Sequence, residues 1–416
     1  MPHRVKPAPE PGEVRRRHPR EDAGRPVTRL GGRRQWEVAR RLPEDHRMSS
    51  APPSDERWIA VAFGALDVRG APTFAAEAEI ALVPILPGPA LCLVGEGAAL
   101  WRGLVDRGPL SPLELGSDEN ALLEQMRKEG LVVRGRTHPA AVTRLDPPVL
   151  SSPLHELVYA LVTHVSETAG IRCLFVKGPA LHHQGLRARE HSGDVDVWCD
   201  PARWDDLAAA LEPWGWVREP DPWRGTPIHH TATMTPTSWG CEIDVHRRLP
   251  GLTLDDDEAF AAVLERTASV RYGGVEVSVP EIGAGPRSEQ ASAVAEALVS
   301  AVADPVTRAR ELGAVAVLRD ELSAATGTPV SAPDDSQPRD WEWRGRPDRL
   351  RAYVTALQTL PPLTRVRIAW RLLWPDDDVA LASERRAGIR VTTAASARRR
   401  RLVRAARSWA RARHGR

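Results

Sequence analysis

Two short segments of the chain carry the residue types that phosphoryl chemistry needs. Gly193-Asp194-Val195-Asp196-Val197 alternates carboxylates with valines, and Cys241-Glu242-Ile243-Asp244-Val245-His246 alternates acidic and apolar residues in the same way. Because a strand places residues two apart on one face, Asp194 and Asp196 are expected to project together while the valines enter a core. Carboxylates held this close repel each other, and a bound divalent cation relieves the repulsion. The two segments therefore predict a metal-assisted reaction on phosphate groups.

A single lysine in the same region supports this interpretation. The chain has 57 Lys and Arg residues, of which only Lys6, Lys128 and Lys177 are lysine. Lys177 ends an apolar segment and precedes Gly178, which opens a predicted helix whose free N–H groups suit phosphate. Lysine offers a compact charge that fits phosphate, whereas arginine offers a planar fork. We therefore expect Lys177 and Gly178 to bind phosphate; the alternative is a lysine that snorkels at a strand end.

Composition and the absence of other motifs exclude several classes. The 416 residues are enough for two or three domains, and a net charge of +2 conceals basic ends around a more acidic middle. The four cysteines are far apart and form no Cys-x-x-Cys pair, which predicts reduced, buried thiols in a cytoplasmic protein. No apolar run reaches membrane-spanning length, and no secretory signal is present. P-loop and dinucleotide-binding glycine motifs are also absent.

Apolar periodicity and proline content predict the domain organisation. The first segment is rich in Pro, Arg and Glu and is expected to be disordered, with Met48 as an alternative start. Three apolar strand segments, two helices and a wing-like strand follow and predict a small winged-helix domain. In chain order, the predicted division is a disordered segment 1–55, a winged-helix domain 56–136, a linker 137–150, a catalytic domain 151–285, a helical region 286–384 and a basic tail 385–416.

The winged-helix region carries a resemblance to a peptide-binding family. Its segments Leu93–Trp101 and Leu122–Val132 resemble the PqqD-like chaperones, the RiPP recognition elements. The resemblance implies that residues 56–136 hold a leader peptide or a biosynthetic partner by adding a strand to an exposed sheet edge. These are common helix patterns, so a generic winged helix, including one that binds DNA, is the alternative.

The chemistry-bearing motifs carry a second resemblance. Lys177-Gly178, an arginine-rich approach to Gly193-Asp194-Val195-Asp196, and Asp244-Val245-His246 follow one another as in the DNA polymerase beta-like nucleotidyltransferase superfamily. They are most similar to an uncharacterised bacterial nucleotidyltransferase family, over roughly residues 150 to 380. The resemblance implies an α+β fold, with a mixed sheet and helices between the PqqD-like winged-helix domain and a helical C-terminal region.

The resemblance also implies a reaction and its carboxylates. A nucleotidyl group would pass from an NTP to an acceptor, with Asp194, Asp196 and Asp244 as catalytic residues that hold two Mg²⁺ ions. Asp244 would complete the metal site at the attacking hydroxyl and help remove its proton. Glu242 shares a strand face with Asp244, so either can be the third ligand; the Asp-x-His context favours Asp244.

Nucleotide binding is implied for three positions. Lys177, Gly178 and Arg189 would contact the phosphates, and Arg187 competes with Arg189 by position. The chain departs from the superfamily in having Lys-Gly-Pro where Gly-Ser or Gly-Gly is common, and in a longer gap to Asp194.

Other functions stay open on the sequence. The paired histidines His182-His183 and His229-His230 suggest a zinc or di-metal hydrolase, although adjacent histidines point apart and no His-x-x-x-His spacing exists. The acceptor of a nucleotidyltransferase could be a ribosomally made peptide or its biosynthetic partner. The alternatives are a catalytically inactive peptide-binding scaffold and a toxin-like nucleotidyltransferase acting on tRNA or protein. Nucleic-acid binding by the basic tail is not the favoured interpretation.

Overall fold

The computed structural model of the chain describes residues 56–183, 190, 193–249, 254–265, 267–280, 319, 323, 327–331, 349–386 and 388–414. The predicted disorder at 1–55 lies outside these residues. So do Arg189, its competitor Arg187, and the part of the predicted helical region between 286 and 318.

Residues 57–135 form two small sheets and two helices. The elements are β1 (Arg57–Ala60), β2 (Gly64–Asp67), β3 (Ile80–Val83), β4 (Leu91–Leu93), α1 (Gly95–Arg107), α2 (Ser117–Lys128) and β5 (Val132–Gly135). Strands β2, β3 and β4 make an antiparallel sheet, and β5 returns to pair with β1. Two fully buried tryptophans lie in this core, and the indole of Trp101 donates to the Leu131 carbonyl at 2.8 Å. The two predicted helices and the four predicted strands are present, with β2 as an additional strand.

A five-stranded mixed sheet with helices occupies the middle of the chain. Its elements are α3 (Pro153–Thr168), β6 (Cys173–Val176), α4 (Gly178–His183), β7 (Asp194–Cys199), α5 (Trp204–Leu211), β8 (Trp216–Arg218), β9 (Thr231–Pro236), β10 (Glu242–His246) and α6 (Asp256–Leu264). The strand order is β6-β7-β10-β9-β8, in which β7 and β10 are parallel and the other neighbours antiparallel. The chain is therefore α+β with a mixed sheet, as predicted.

Strand alternation assigns the two faces of this sheet. Val195 and Val197 are fully buried and join the core cluster that contains residues of α3 and α5. Helix α3 is buried almost all round, as expected for a helix inside the core. Asp194 and Asp196 occupy the opposite face, where Trp198 of the same strand packs edge-on against Phe260 of α6 at 5.5 Å.

A hairpin connects the first part of the chain to the middle part. Strands β11 (Thr267–Tyr272) and β12 (Val275–Pro280) pair antiparallel, and the turn at Gly273 accepts the Ala65 N–H at 2.9 Å. The buried carboxylate of Glu156 accepts from the Leu150 and Gly273 N–H groups at 2.5 and 3.1 Å. Residues 137–150 form bridges with β-segments of the first part. The division into domains at these residues stays a prediction.

Within the described residues 349–414 the chain forms α7 (Arg349–Gln358), α8 (Pro362–Leu373), α9 (Asp377–Arg386) and α10 (Ala394–His414). Ile228, from the loop between β8 and β9, packs in a small cluster with Ala356 and Ile368 of α7 and α8. The predicted basic tail is largely helical, and Arg404 pairs with the buried Glu384 carboxylate. Among the described residues, no helix combines the length and the apolar character needed to cross a bilayer.

Candidate functional site

The register between two parallel strands brings the acidic segments together. Asp244 of β10 lies beside Asp196 of β7, and Glu242 lies beside Asp194. Because partners in a parallel ladder point to the same face, Asp196 and Asp244 form a carboxylate pair on the face opposite the valine core. Acidic and apolar residues alternate within each strand, and the pairing of the two strands brings their acidic residues together into one cluster.

Three side chains in this cluster can converge on one ion. Ligand atoms of Asp196, Asp244 and His246 all lie within 4.8 Å of one another. Asp194, two residues before Asp196 on the same strand, is not part of this group. Its predicted role as a ligand stays a prediction. Of the two candidates for the later carboxylate, Asp244 belongs to the cluster, and Glu242 is exposed beside Asp194.

The carboxylate of Asp196 is buried and already has two partners. It is 3% exposed, and its Oδ1 lies 2.6 Å from Lys177 Nζ and 2.8 Å from His246 Nε2. Burial by itself raises the pKa of Asp196, but the His246 hydrogen bond and the Lys177 ammonium outweigh burial and lower it. Asp196 is therefore held as an anion at the centre of the site.

Two threonines of β9 position the other members of the cluster. Thr233 lies opposite Asp244 and donates its hydroxyl to Asp244 Oδ1 at 2.6 Å. Thr231 lies opposite His246, with its hydroxyl 2.9 Å from His246 Nδ1. The imidazole thus spans from Thr231 at one nitrogen to Asp196 at the other. Such outer contacts fix ring orientation and the direction of a carboxylate lone pair.

The turn after β6 aims Lys177 at this cluster. Val176 pairs with Asp196 across β6 and β7, so the next residue begins beside the carboxylate. Lys177 has φ of +62° and is the one non-glycine residue with positive φ in the described part of the chain; Gly178 follows at +51°. A side chain in this region is strained, and such strain gathers at functional sites. Gly178 is buried at the start of α4.

The donor set of the cluster fits a divalent cation. Two carboxylates would offer oxygen ligands of the kind that Mg²⁺ prefers, with its remaining positions left to water and phosphate oxygens. The imidazole of His246 is a ligand that Mn²⁺ or Zn²⁺ accepts more readily than Mg²⁺ does. Asp196 and Asp244 are therefore the residues that would hold magnesium. A softer metal would add His246.

The four cysteines are not suited to act as nucleophiles. None of the four forms a disulfide; Cys199 is buried as predicted, whereas Cys92, Cys173 and Cys241 are only partly buried. Burial raises the pKa of the Cys92 and Cys173 thiols to about 11. Burial, with Asp194 and Glu242 nearby, also raises the pKa of the Cys241 thiol, whose Sγ lies 3.4 Å from His155 Nε2. A thiol with a raised pKa is a poor nucleophile at neutral pH.

His246 was noted only as part of the Asp244-Val245-His246 motif, and Thr231 and Thr233 were not predicted to belong to the site. The Asp244-Val245-His246 spacing was a usable signal for His246, because residues two apart share a strand face. The threonines carried no such signal, since their relation to the cluster depends on which strand pairs with β10 and in what register.

Known proteins show little similarity to this chain. No protein-family model matches the chain, and no curated protein matches it. Among solved structures, it is similar to a lincomycin-bound lincosamide antibiotic adenylyltransferase, LnuA. That match has 19% sequence identity, covers 30% of this chain and 78% of the other, and has a TM-score of 0.20. A TM-score of this size does not establish a shared fold.

Proposed function

We propose that the chain is a Mg²⁺-dependent nucleotidyltransferase that moves a nucleotidyl group from an NTP to an acceptor hydroxyl. The observation that supports this most is the parallel register that sets Asp196 beside Asp244, with Lys177 Nζ 2.6 Å from Asp196 Oδ1. Paired carboxylates and a lysine at one strand end suit binding and polarisation of a triphosphate. We propose that the reaction takes place in the cytoplasm.

In the proposed reaction, the acceptor oxygen forms a bond to the α-phosphorus of the NTP. The bond from that phosphorus to the bridging oxygen of the β-phosphate breaks, and pyrophosphate leaves with those electrons. Asp244, held by Thr233, accepts the hydroxyl proton. Asp194 and Asp196 would be the other two carboxylates of the catalytic site. A bound magnesium supplies charge stabilisation for the phosphate oxygens.

The phosphates would lie against the turn after β6. Lys177 supplies the positive charge and Gly178 the close backbone approach, with Arg189 as the proposed further contact. We also propose how the chain is divided into domains. Residues 56–136 would form a PqqD-like domain that presents a leader peptide or biosynthetic partner, 137–150 the linker, 151–285 the catalytic domain and 286–384 the helical region.

One observation favours a second candidate, a catalytically inactive peptide-binding scaffold. Lys177 and His246 both contact the Asp196 carboxylate, and the Lys177 ammonium balances its negative charge. In such a scaffold this buried network would serve only to hold β6, β7 and β10 together. The two candidates differ in whether a cation and an NTP enter the cluster.

Calorimetric titration of each NTP, with and without Mg²⁺, separates them. We expect one NTP to bind the wild-type protein in a Mg²⁺-dependent manner, and Asp196→Asn and Asp244→Asn to lose that binding while remaining folded by circular dichroism. Asp206→Asn is a matched control, because Asp206 is 58% exposed and pairs with Arg203 on the surface. Failure of every NTP to bind folded wild-type protein would favour the scaffold.

A further inference from the structure

A cavity lies beyond the end of β10 and is lined by residues other than those of the carboxylate cluster. It has a volume of about 450 Å³ and opens between the start of α5, strand β8, the loop between β8 and β9, and the residue after β10. Three arginines line it, Arg218, Arg224 and Arg247, against one acid, Asp205. A cavity of this size accommodates a small molecule.

The cavity and the cluster are formed by different side chains. Arg247 directly follows His246 at the end of β10, but the residues that line the cavity include none of Asp196, Asp244 and His246. Trp204, which lines the cavity, belongs to the core cluster that contains Val195 and Val197. A ligand in the cavity would therefore be held by side chains other than those of the proposed nucleotide site.

Two of the arginines carry buried N–H groups that no described residue satisfies. Arg218 pairs through Nη1 with Asp205, and its guanidinium carbon lies 5.0 Å from the Trp204 ring centroid, yet its Nη2 is buried with no hydrogen-bond partner among the described residues. Arg247 Nη2 lies 3.6 Å from Asp256 Oδ2, too long for a hydrogen bond, and its Nε is likewise buried without an acceptor in the described part of the chain.

Buried donors without acceptors are costly, and charged donors more so. The acids around the cavity do not meet this need: Asp205 takes only Nη1 of Arg218, Asp256 stays at 3.6 Å from Arg247, and Asp221 faces His229 at 3.8 Å. What the two guanidinium groups lack is an oxyanion. Phosphate offers several strong acceptors to such donors.

The other walls suit an organic group attached to that oxyanion. Trp204 and His229 meet edge-on with ring centroids 5.0 Å apart, and His229 is 5% exposed. Pro227 adds a further apolar surface. We propose that this cavity binds a phosphate group, either as inorganic phosphate or as the monoester of a small molecule, through Arg218 and Arg247. This site is separate from the proposed catalytic one and does not require a metal.

The test is a titration of full-length protein in EDTA at constant ionic strength, with inorganic phosphate and AMP as probes and chloride as the reference. We expect saturable binding by calorimetry and a saturable rise in Tm. Arg218→Gln and Arg247→Gln should each bind about tenfold more weakly, because each removes a charge-assisted hydrogen bond. Arg172→Gln is the matched control, since Arg172 is 61% exposed and pairs with Asp200 away from the cavity; its binding should equal that of wild type.

Asp196→Asn separates this site from the catalytic one. We expect that variant to bind the probes as wild type does, even if the nucleotidyltransferase proposal fails. Tighter binding of AMP would identify the ligand as a monoester, and equal binding of both probes would identify it as phosphate itself. The proposal is overturned if neither probe binds saturably, or if both arginine variants bind the probes as tightly as wild type; loss of binding in Asp196→Asn would place the bound probe at the carboxylate cluster instead. Circular dichroism shows whether each variant is folded. If an arginine-to-glutamine variant does not fold, Arg218→Lys takes its place, because lysine keeps the charge but lacks the planar guanidinium group. Arg218→Lys should also bind the probes more weakly than wild type.

Discussion

Lys177 Nζ lies 2.6 Å from Asp196 Oδ1, and the backbone of Lys177 adopts a left-handed conformation with φ of +62° to reach it. The Lys177 side chain is 33% exposed, whereas the Asp196 side chain is 3% exposed. The pair thus joins a partly solvated cation to a buried anion at the strand end where the two acidic segments meet. Any cation that binds Asp196 must compete with this ammonium.

Removing that competitor is expected to change metal affinity and turnover in opposite directions. In Lys177→Met the Asp196 carboxylate keeps His246 but loses the ammonium, so Mn²⁺ or Mg²⁺ should bind more tightly. Turnover of the NTP should fall, because the phosphates lose a positive charge. Mn²⁺ binding followed by electron paramagnetic resonance measures the first effect; unchanged or weaker binding would show that Lys177 and the metal do not share Asp196.

A glycine at the same position isolates the backbone strain. Glycine adopts positive φ without the steric cost that other residues bear there. Lys177→Gly should therefore unfold with a free energy about 1 kcal/mol higher than Lys177→Met. Urea denaturation of the two variants gives the difference, and equal stabilities would mean that the turn relaxes when the ammonium is gone.

The threonine hydroxyl beside Asp244 is expected to matter through the carboxylate that it orients. Thr233→Val keeps the side-chain shape but removes the donor at 2.6 Å, and we expect activity or metal affinity to fall about tenfold. Thr233→Ser should recover most of the loss. Thr235→Val is the control on the same strand, because its hydroxyl bonds Glu219 at 2.9 Å and not the cluster. Equal losses in Thr233→Val and Thr235→Val would point to a general effect on β9.

Two glycines with similar backbone conformations should differ in their tolerance of alanine. Gly273 has φ of +61°, and a Cβ there would lie 2.7 Å from the Glu156 carbonyl oxygen and 2.8 Å from Ala160 Cβ. Gly170 has φ of +64° with nothing within 4 Å. Gly170→Ala should cost about 1 kcal/mol in the free energy of unfolding, and Gly273→Ala roughly 2 to 4 kcal/mol, because overpacking adds to the strain. Chemical denaturation would show the gap, and similar costs would mean that the hairpin shifts freely away from α3.

Asp67 should make stability depend on pH in the acid range. Burial raises its pKa, but hydrogen bonds from Arg69 and Arg102 outweigh burial and bring the pKa to about 2, from 3.8. Because the pKa is lower in the folded state, the carboxylate stabilises the fold above pH 3.8 and loses that contribution as pH falls through about 2. The difference in unfolding free energy between wild type and Asp67→Asn should therefore shrink from pH 5 to pH 2. A difference that stays constant over this range would contradict the shifted pKa.

Local patterns in the sequence were enough for many elements. Apolar residues at helical spacing predicted α1 and α2, and the Lys177-Gly178 pair marked the turn between β6 and α4. The hairpin of β11 and β12 was not predicted, because short strands with mixed burial carry little periodic signal. The PqqD-like resemblance and the domain boundaries stay predictions.

The alternation of Asp194, Val195 and Asp196 by itself determined which side chains leave the core, since a strand has a period of two residues. Tertiary structure alone decided that Asp196 meets Asp244, that Lys177 and His246 share its carboxylate, and that Thr231 and Thr233 hold the cluster. Tertiary structure also brought together the residues that line the arginine-rich cavity. These contacts depend on strand order and register, which are set by the packing of the whole sheet against its helices, so no local stretch of the chain specifies them.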